Sequence, residues 1–350
     1  MIEQNANMTE HREVLERTAR EMVAKGKGIL AADESNGTMD KRLDAAGIEP
    51  SEESRRRFRE VLFTTPGVEQ HISGVILYDE TLRQANAEGV PFPELFAKRG
   101  MIPGIKVDTG AKPLAGAEGE KVTEGLDGLR ERLEEYRDLG ARFSKWRAVI
   151  SLGDGLPSAY AVSANAHALA RYAALCQEAG IVPIVEPEVL MDGDHTVDRS
   201  EEVTGDVLRA VFSELTAQRV LLEGIVLKPN MVLSGYDCPD QASVDEVAER
   251  TLAVLRRVVP AAVPGIAFLS GGQSDEAAST HLSAMNGLGP QPWELSFSYG
   301  RALQAASLDT WAGDEANADA AQSGFAHRAH CNGEARLGRY TEEVERAAAA

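Results

Sequence analysis

The sequence predicts an α/β fold, a single-domain (β/α)8 TIM barrel, on three observations. Short apolar runs alternate with longer segments of helical periodicity, which favours a parallel sheet covered by helices. Eight such runs occur along the chain, and eight parallel strands are the number that closes a barrel. The 350 residues also leave room for one barrel of about 250 residues with insertions.

The predicted elements follow one another along nearly the whole chain. An amphipathic helix over 9–25 comes first, with Thr9 as its N-cap and Leu15, Ala19 and Met22 at helical spacing. The predicted strands cover 28–32, 74–78, 104–107, 143–147, 181–186, 225–228, 266–270 and 295–299. The clearest later helices cover 125–139, 158–179, 204–218, 242–257, 275–286 and 301–313.

A doubly wound open sheet is the main alternative arrangement of these elements. Its dinucleotide-binding fingerprint, G-x-G-x-x-G opening a helix after the first strand, is not found at that place. No Ser/Gly linker or change of composition divides the chain. We therefore expect one barrel domain over 1–340, which includes the amino-terminal helix, and a short helical or disordered C-terminal tail over 341–350.

Composition and charge exclude several classes of function. The formal net charge of -19 argues against nucleic acid as a partner, although a local basic pocket can still bind an anionic small molecule. Cys176, Cys238 and Cys331 are odd in number and far apart, which argues against a disulfide framework and favours a reducing compartment. The polar, acidic start does not resemble a signal peptide, and no apolar stretch reaches the roughly 20 residues of a membrane span. We expect a cytoplasmic protein that has no membrane partner.

Charged and small polar residues occur at the carboxyl ends of the predicted strands. They are Asp33, Glu34, Lys106, Lys145, Arg147, Glu186, Glu188, Lys228, Ser270 and Arg301. In a barrel these ends converge on one rim, where the catalytic site lies. A single buried charge could be a structural ion pair, but its repetition at so many strand ends favours a functional site.

Lys228 directly follows the apolar residues 225–227 in GIVLKPN. Lysine is rare in buried strands because desolvation of an ammonium group is costly. Burial and neighbouring cations favour the neutral amine of a lysine, which can attack a carbonyl carbon. The alternative interpretation is a salt-bridged lysine at the mouth of the barrel.

Two pairs of charged residues surround this lysine in the predicted barrel. Lys145 and Arg147 are two residues apart, so both point to one face of an extended strand. Glu186 and Glu188 share a face in the same way, although Pro187 between them could re-aim Glu188. Cations and carboxylates around an amine provide the proton transfers of Schiff-base chemistry. Glu186 could instead only pair with Lys145, and such pairing would be compatible with catalysis.

Two segments after the last two predicted strands are suited to phosphate. In AFLSGGQSDEAA, Ser-Gly-Gly at 270–272 precedes a helix that begins near Asp275, and in LSFSYGRALQAA, Gly300 and Arg301 open the next helix. Glycines let backbone N–H groups approach an anion, and a helix start favours negative charge. Barrels commonly bind phosphate with these two loops. Each segment alone could equally be an ordinary turn.

Several longer motifs resemble class I fructose-bisphosphate aldolase. They are LAADES, GVILYDETL, GIKVD, PLAG, GLDGL, KWR, SANAHALARYA, GIVPIVEPE, LKPNMV, GIAFLSGGQS and FSYGRALQA, in the family's order from about residue 10 to 315. The resemblance implies a (β/α)8 barrel, assembled as a homotetramer, that reversibly splits fructose 1,6-bisphosphate into dihydroxyacetone phosphate and glyceraldehyde 3-phosphate in glycolysis and gluconeogenesis. It also implies that a Schiff base on a lysine replaces any metal or other cofactor.

The resemblance assigns roles to individual residues. Lys228 matches the Schiff-base lysine, Glu186 the acid/base that forms and hydrolyses the Schiff base, and Glu188 its supporting carboxylate. Asp33 matches the residue of carbon–carbon cleavage, and Lys145 the cation beside the Schiff base. The residues that match the ketone-side phosphate site are Ser270, Gly271, Gly272, Ser298, Gly300 and Arg301. The residues that match contacts to the aldehyde-side half are Ser35, Arg42, Lys106 and Arg147.

Two other functions remain as alternatives. Another Schiff-base barrel, such as one of transaldolase type, would act on different sugar phosphates, but two phosphate-binding segments favour a substrate phosphorylated at both ends. A scaffold that only binds protein partners would be expected to lose Lys228, Glu186 or Asp33, and all three are present.

Residues near the carboxyl terminus add little. His327, His330 and Cys331 lie in H-R-A-H-C, and we expect solvated histidines there rather than a metal site. Vertebrate members of the family end in a tyrosine that reaches the active site, whereas the last tyrosine here is Tyr340.

Overall fold

The computed structural model describes residues 2–347, with side chains from residue 11 onward. The strands are β1 (Gly28–Ala32), β2 (Ile72–Leu77), β3 (Ile102–Lys106), β4 (Gly110–Pro113), β5 (Lys121–Glu124), β6 (Phe143–Ile150), β7 (Val182–Val189), β8 (Val226–Leu227), β9 (Gly265–Phe268) and β10 (Glu294–Tyr299). Parallel pairing in the order β1-β10-β9-β8-β7-β6-β3-β2 closes a barrel, while β4 and β5 form an antiparallel hairpin outside it. The predicted (β/α)8 fold is confirmed.

Helices surround the barrel. They are α1 (Ile2–Met22), α2 (Asn36–Ala45), α3 (Glu52–Thr64), α4 (Asp79–Leu82), α5 (Phe92–Lys98), α6 (Leu129–Asp138), α7 (Ala159–Glu178), α8 (Val197–Ala217), α9 (Val244–Val258), α10 (Asp275–Gly287), α11 (Arg301–Trp311), α12 (Ala318–Arg336) and α13 (Glu342–Arg346). Short 3-10 helices cover Val68–Gln70, Leu222–Gly224 and Glu315–Asn317. Within the described part of the chain, none of these helices has the length and apolar character needed to cross a membrane.

Two apolar layers result from the alternation of side chains along each strand. Residues such as Leu30, Trp146 and Val185 point outward and pack under the helices in the larger core. Ile29, Phe143 and other inward residues fill the barrel in a second, smaller core. Polar side chains can then be placed inside the barrel only near its carboxyl rim, above this apolar filling.

The helix α1 closes the amino end of the barrel. Its buried residues Leu15, Ala19 and Met22 belong to the same core as the inward residues of the strands. Thr9 is not its N-cap, because the helix begins at Ile2. The segment before Thr9 contains no glycine or proline that would stop the helix, so the sequence pattern placed the start too late.

The start of a later helix and an unpredicted hairpin are among the other differences from the sequence prediction. The helix expected from residue 204 begins at Val197, where the Thr196 side chain accepts a hydrogen bond from the Arg199 amide. The β4–β5 hairpin was not predicted, because its four-residue strands are mostly solvent-facing and carry no apolar alternation. The hairpin contributes Gly110 and Ala111 to the edge of the cleft described below.

The C-terminal tail packs against the outer layer of helices. The Glu345 side chain in α13 accepts hydrogen bonds from Arg328 at 2.6 Å and from the Tyr340 hydroxyl at 2.6 Å. Of the helical and disordered forms considered for the tail, the structure has a helix over Glu342–Arg346. The residues after 347 lie outside the described part of the chain.

Candidate active site

A cleft of about 670 Å³ opens where the carboxyl ends of the barrel strands meet. It brings together every residue that the sequence predicts for the site. These are Asp33, Ser35, Arg42, Lys106, Lys145, Arg147, Glu186, Glu188, Lys228, Ser270, Gly271, Gly272, Ser298, Gly300 and Arg301. Their placement in one cleft is an observation, while their individual roles remain predictions.

Four charged side chains form a chain of ion pairs at the bottom of the cleft. The Lys145 Nζ lies 2.7 Å from Asp33 Oδ2 and 3.3 Å from Glu186 Oε2. The Lys228 Nζ lies 3.1 Å from Glu186 Oε1. Glu186 therefore lies between two ammonium groups and Lys145 between two carboxylates. All four side chains are buried, and Lys228 keeps only 4% of its surface exposed.

These contacts shift the pKa values of the carboxylates downward. Burial alone would raise the pKa of Asp33, but Lys145 and Lys228 outweigh it and lower the value to about 2. Burial likewise opposes ionisation of Glu186, and again Lys145 and Lys228 outweigh it, so the pKa is lowered. Burial would lower the pKa of Lys145, yet Asp33 and Glu186 raise it. Asp33 and Glu186 are therefore carboxylates, and Lys145 is firmly protonated.

The period of two along β6 and β7 explains this grouping. In β6, Phe143 packs inside the barrel, and Lys145 and Arg147 follow on the same face towards the rim. The intervening Ser144 lies behind the strand, 2.9 Å from the Tyr172 hydroxyl of α7. The two faces of one strand thus serve the cleft and the helix layer separately.

Glu188 keeps the orientation that the period of two predicts. β7 continues to Val189, so Pro187 lies inside the strand and does not re-aim its neighbour. Glu188 forms an ion pair with Arg147 from β6. The re-aiming considered for Pro187 is therefore wrong, because the proline adopts the extended backbone of the strand.

Asp108 is a charged residue of the cleft that the sequence reasoning did not assign to the site. Its carboxylate accepts a hydrogen bond from Lys106 Nζ at 2.6 Å and one from the Gly110 amide at 3.1 Å. It also lies 3.3 Å from the Arg147 amide nitrogen, which donates to it. The signal was present in GIKVD, because Asp108 follows Lys106 by two residues and lines the same cleft.

The opposite side of the cleft is rich in glycine and backbone amides. Gly271 and Gly272 have φ values of +62° and +105°, which ordinary residues avoid. The Ser298 hydroxyl is buried and has no hydrogen-bond partner within the described residues. Because a buried polar group without a partner is costly, Ser298 is suited to a polar ligand in the cleft.

The two helix starts on this side differ, although the sequence suggested that both would face phosphate. Gly300 and Arg301 open α11 and line the cleft. The start of α10 is capped by its own Ser274 side chain, which accepts from the Ala277 amide. Only the loop before α10 contributes to the cleft lining, through Ser270, Gly271 and Gly272.

The H-R-A-H-C segment is more buried than the sequence suggested. The His327 ring nitrogen lies 2.9 Å from the Glu345 carbonyl oxygen, so the histidine is not simply solvated. His327, Cys331 and Glu345 offer ligand atoms within 4.8 Å of one another. However, the Glu345 carboxylate already binds the guanidinium of Arg328 through both oxygens, which disfavours a second cation there.

Comparisons with known proteins agree with this geometry. The family model described as fructose-bisphosphate aldolase class-I matches residues 14–350. The chain belongs to the class I fructose-bisphosphate aldolases. This chain is 59% identical to a probable fructose-bisphosphate aldolase class 1 of Xylella fastidiosa (strain 9a5c). The alignment covers 94% of this chain and 98% of that relative. Aldolase C of Rattus norvegicus is 52% identical, with 97% and 94% covered.

A solved structure supports the same assignment to the class I aldolases. The fructose-bisphosphate aldolase of Plasmodium falciparum superimposes with a TM-score of 0.94 at 48% identity. The superposition covers 95% of this chain and 96% of that one. The two chains therefore share the aldolase barrel over nearly their whole length. The cleft at the carboxyl rim of this barrel is accordingly the candidate active site.

Proposed function

We propose that this chain catalyses the reversible aldol cleavage of fructose 1,6-bisphosphate through a Schiff base on Lys228, in glycolysis and gluconeogenesis. The products are dihydroxyacetone phosphate and glyceraldehyde 3-phosphate. The observation that carries the proposal is the buried ion pair of Lys228 with Glu186, in a cleft that also contains Lys145 and Asp33. Lys228 pairs with Glu186 alone, but Glu186 also contacts Lys145 and Lys145 contacts Asp33, so proton donors and acceptors lie in one connected group beside the amine.

Schiff-base formation begins with Glu186. Its lowered pKa keeps it ionised, so it can accept a proton from the Lys228 ammonium and free the amine. The amine attacks the ketone carbon, and a proton moves from the nitrogen to the former carbonyl oxygen to give the carbinolamine. Glu186 then returns its proton to this hydroxyl, which leaves as water, and the protonated imine remains. Glu188, held by Arg147, supports this carboxylate from the neighbouring position on the strand.

Carbon–carbon cleavage follows from the protonated imine, which withdraws electrons more strongly than the ketone. Asp33, ionised because of its pKa of about 2, accepts the proton of the C4 hydroxyl. The C3–C4 bond breaks, the aldehyde leaves, and the electron pair remains on the enamine. Protonation at C3 and hydrolysis of the imine then release the ketone product. Lys145, charged throughout, stabilises the carboxylates of Asp33 and Glu186, which it contacts.

Two sets of residues bind the ends of the substrate. Ser35, Arg42, Lys106 and Arg147 contact the aldehyde-side half, and Ser270, Gly271, Gly272, Ser298, Gly300 and Arg301 bind the ketone-side phosphate. Arg42, Lys106 and Arg147 each pair with a carboxylate, whereas Arg301 has no such pair among residues 11–347. An unpaired guanidinium beside Gly272 supports a phosphate site there.

The proposal includes the setting of the reaction. We propose a homotetramer in the cytoplasm that needs no metal ion or other cofactor and has no nucleic acid or membrane partner. The class I family acts through a Schiff base, so the electron sink is the imine rather than a metal ion.

Cleavage activity in the presence of a chelator tests this proposal. We expect fructose 1,6-bisphosphate cleavage to be unchanged by EDTA and to fall by at least about 10⁴-fold, or about 5 kcal/mol, in Lys228→Met. Lys98→Met, which removes an exposed lysine from α5, is the matched control and should retain full activity. Loss of activity in EDTA that zinc restores, or an active Lys228→Met protein, would contradict the proposal.

A further inference from the structure

The loop over 270–272 has a feature that its sequence does not reveal. The carbonyl oxygens of its first two residues, Ser270 and Gly271, each accept a hydrogen bond from a side chain outside the cleft lining. The backbone amide of Gln273 and its Nε2 both donate to the Ser270 carbonyl at 3.1 Å, and the Tyr236 hydroxyl donates to the Gly271 carbonyl at 3.2 Å. Neither Gln273 nor Tyr236 lines the cleft, although the loop itself does.

The planarity of the peptide bond links these carbonyls to the neighbouring amides. In a trans peptide the C=O and the following N–H point in opposite directions. A Ser270 carbonyl held by Gln273 therefore turns the Gly271 N–H the other way, and a Gly271 carbonyl held by Tyr236 does the same for the Gly272 N–H. Neither amide has an acceptor within the part of the chain that the structure describes.

From this arrangement we infer that Gln273 and Tyr236 are positioning residues, which hold two adjacent amides of the loop towards the ketone-side phosphate. An anion needs N–H groups, whereas a carbonyl oxygen turned towards it would repel it. A loop with two glycines samples many conformations, so it requires external restraints to present only its donors. This inference rests on the proposed function and names how its phosphate site is organised.

Each positioning residue is itself fixed. The His281 Nδ1 in α10 lies 2.6 Å from Gln273 Oε1, and because an amide oxygen only accepts, the histidine holds the hydrogen. That leaves the Nε2 of Gln273 to face the Ser270 carbonyl. Burial raises the pKa of Tyr236 to about 12, so its hydroxyl retains the proton that it donates.

The backbone conformation supports the same conclusion. A Cβ at Gly271 would lie 2.5 Å from Met191 Sδ, so the side of this residue away from the cleft is already filled. A Cβ at Gly272 would lie 3.1 Å from Arg301 Nη2 and 3.4 Å from the Tyr236 hydroxyl. Tyr236 and Arg301 thus both lie beside Gly272 of the loop. The Arg301 guanidinium is the one in the cleft lining that has no ion pair among residues 11–347.

The test compares a phosphorylated ketone with the same ketone without phosphate. Increasing concentrations of dihydroxyacetone phosphate or dihydroxyacetone are trapped with borohydride, and the fraction of modified protein gives a half-saturating concentration. In Tyr236→Phe and Gln273→Met we expect this concentration to rise about 3- to 10-fold for the phosphate, as for loss of one orienting hydrogen bond. For dihydroxyacetone we expect no change.

Two matched controls remove the same groups elsewhere. Tyr160→Phe alters an exposed tyrosine of α7, and Gln322→Met removes a side-chain bond to the Val61 carbonyl far from the cleft lining. Both should behave like the parent protein with either ketone. Unchanged phosphate binding in Tyr236→Phe and Gln273→Met would overturn the inference, as would an equal rise for both ketones, which indicates general damage. A parent protein that traps neither ketone would instead contradict the Schiff-base proposal.

Discussion

Asp33, Lys145, Glu186 and Lys228 share so small a volume that none of them has an ordinary environment. Each carboxylate gains more from the neighbouring ammonium groups than it loses by leaving water, which is why the pKa of Asp33 falls to about 2 despite burial. Asp33, the base proposed for cleavage, is therefore already ionised in this arrangement. The electrostatics of these four residues prepare the site for the proposed chemistry.

The pKa of Asp33 makes a prediction about stability against acid. A pKa lowered in the folded state means that ionised Asp33 stabilises the protein above its unfolded value of about 4, and that this contribution is lost as the pH falls through about 2. The difference of almost two units corresponds to about 2 kcal/mol. We expect Asp33→Asn to flatten the decline in the free energy of unfolding between pH 5 and 2.

Denaturant unfolding at a series of pH values measures that decline. Asp138→Asn removes a carboxyl whose side chain is 78% exposed and serves to correct for the general effect of charge. If Asp33→Asn and the parent protein lose stability in parallel down to pH 2, the ion pair with Lys145 does not hold Asp33 in its ionised form.

At this scale the sequence was informative because charge is rare inside strands. The period of two identified the shared faces of Lys145 with Arg147 and of Glu186 with Glu188. It could not identify Gln273 and Tyr236, which bond backbone carbonyls, or His281, which bonds the Gln273 side chain. Uncharged contacts of this kind leave no pattern in the sequence. Asp108 was an intermediate case. Its charge was visible in the sequence, but its partner Lys106 was already assigned to substrate binding, so the pair was not recognised.

Among the elements, β2, β3 and β6 show how glycine allows the barrel to be filled. The ring of Phe143 occupies the interior directly against Gly74 and Gly104. A Cβ at Gly104 would lie 2.3 Å from this ring, and one at Gly74 would lie 2.9 Å from it. The aromatic ring fits only because two neighbouring strands have no side chain at these positions.

Replacing Gly104 should therefore destabilise the fold. We expect Gly104→Ala to lower the free energy of unfolding by about 1–3 kcal/mol, because the added methyl group overpacks a filled core. Gly324→Ala provides the opposite control, since this glycine in α12 has open space around its Cβ position and alanine should stabilise the helix by about 0.5–1 kcal/mol. Thermal or denaturant unfolding distinguishes the two, and equal effects of the same sign would contradict this account of the packing.

The elements also show where sequence patterns were sufficient. Buried strands bounded by glycine and charge, such as β1 and β10, were placed within one residue of their observed bounds. β8 contains only Val226 and Leu227, so the predicted strand over 225–228 was too long, although it placed Lys228 correctly at the strand end. The hairpin β4–β5 depends on pairing between two short polar segments, which local periodicity does not record.

Over the whole molecule, charge is distributed unevenly. The formal net charge is -19, yet Arg42, Lys106, Lys145, Lys228 and Arg301 all line one cleft. Six carboxylates line the same cleft, so with Arg147 included it is formally neutral within an acidic protein. The Arg301 guanidinium, which has no ion pair among residues 11–347, is the group most available to a small anion. Composition alone predicted the acidic surface, but the concentration of the cations required the barrel.

The proposed assembly is also a property of the whole molecule. Four chains of 37.6 kDa give a mass of about 150 kDa, which sedimentation velocity distinguishes readily from a monomer or dimer. We expect the tetramer at micromolar protein concentration near neutral pH. A single species with the mass of one chain under these conditions would contradict the homotetramer.

Borohydride trapping with dihydroxyacetone phosphate, followed by peptide mass spectrometry, tests the central claim most directly. We predict one reduced adduct, located on Lys228 in the peptide that contains LKPN. Lys145 is an internal competitor in the same cleft, and its raised pKa should leave it unmodified. An adduct on Lys145 alone, or no adduct on any lysine of the folded protein, would contradict the Schiff-base mechanism proposed for this barrel.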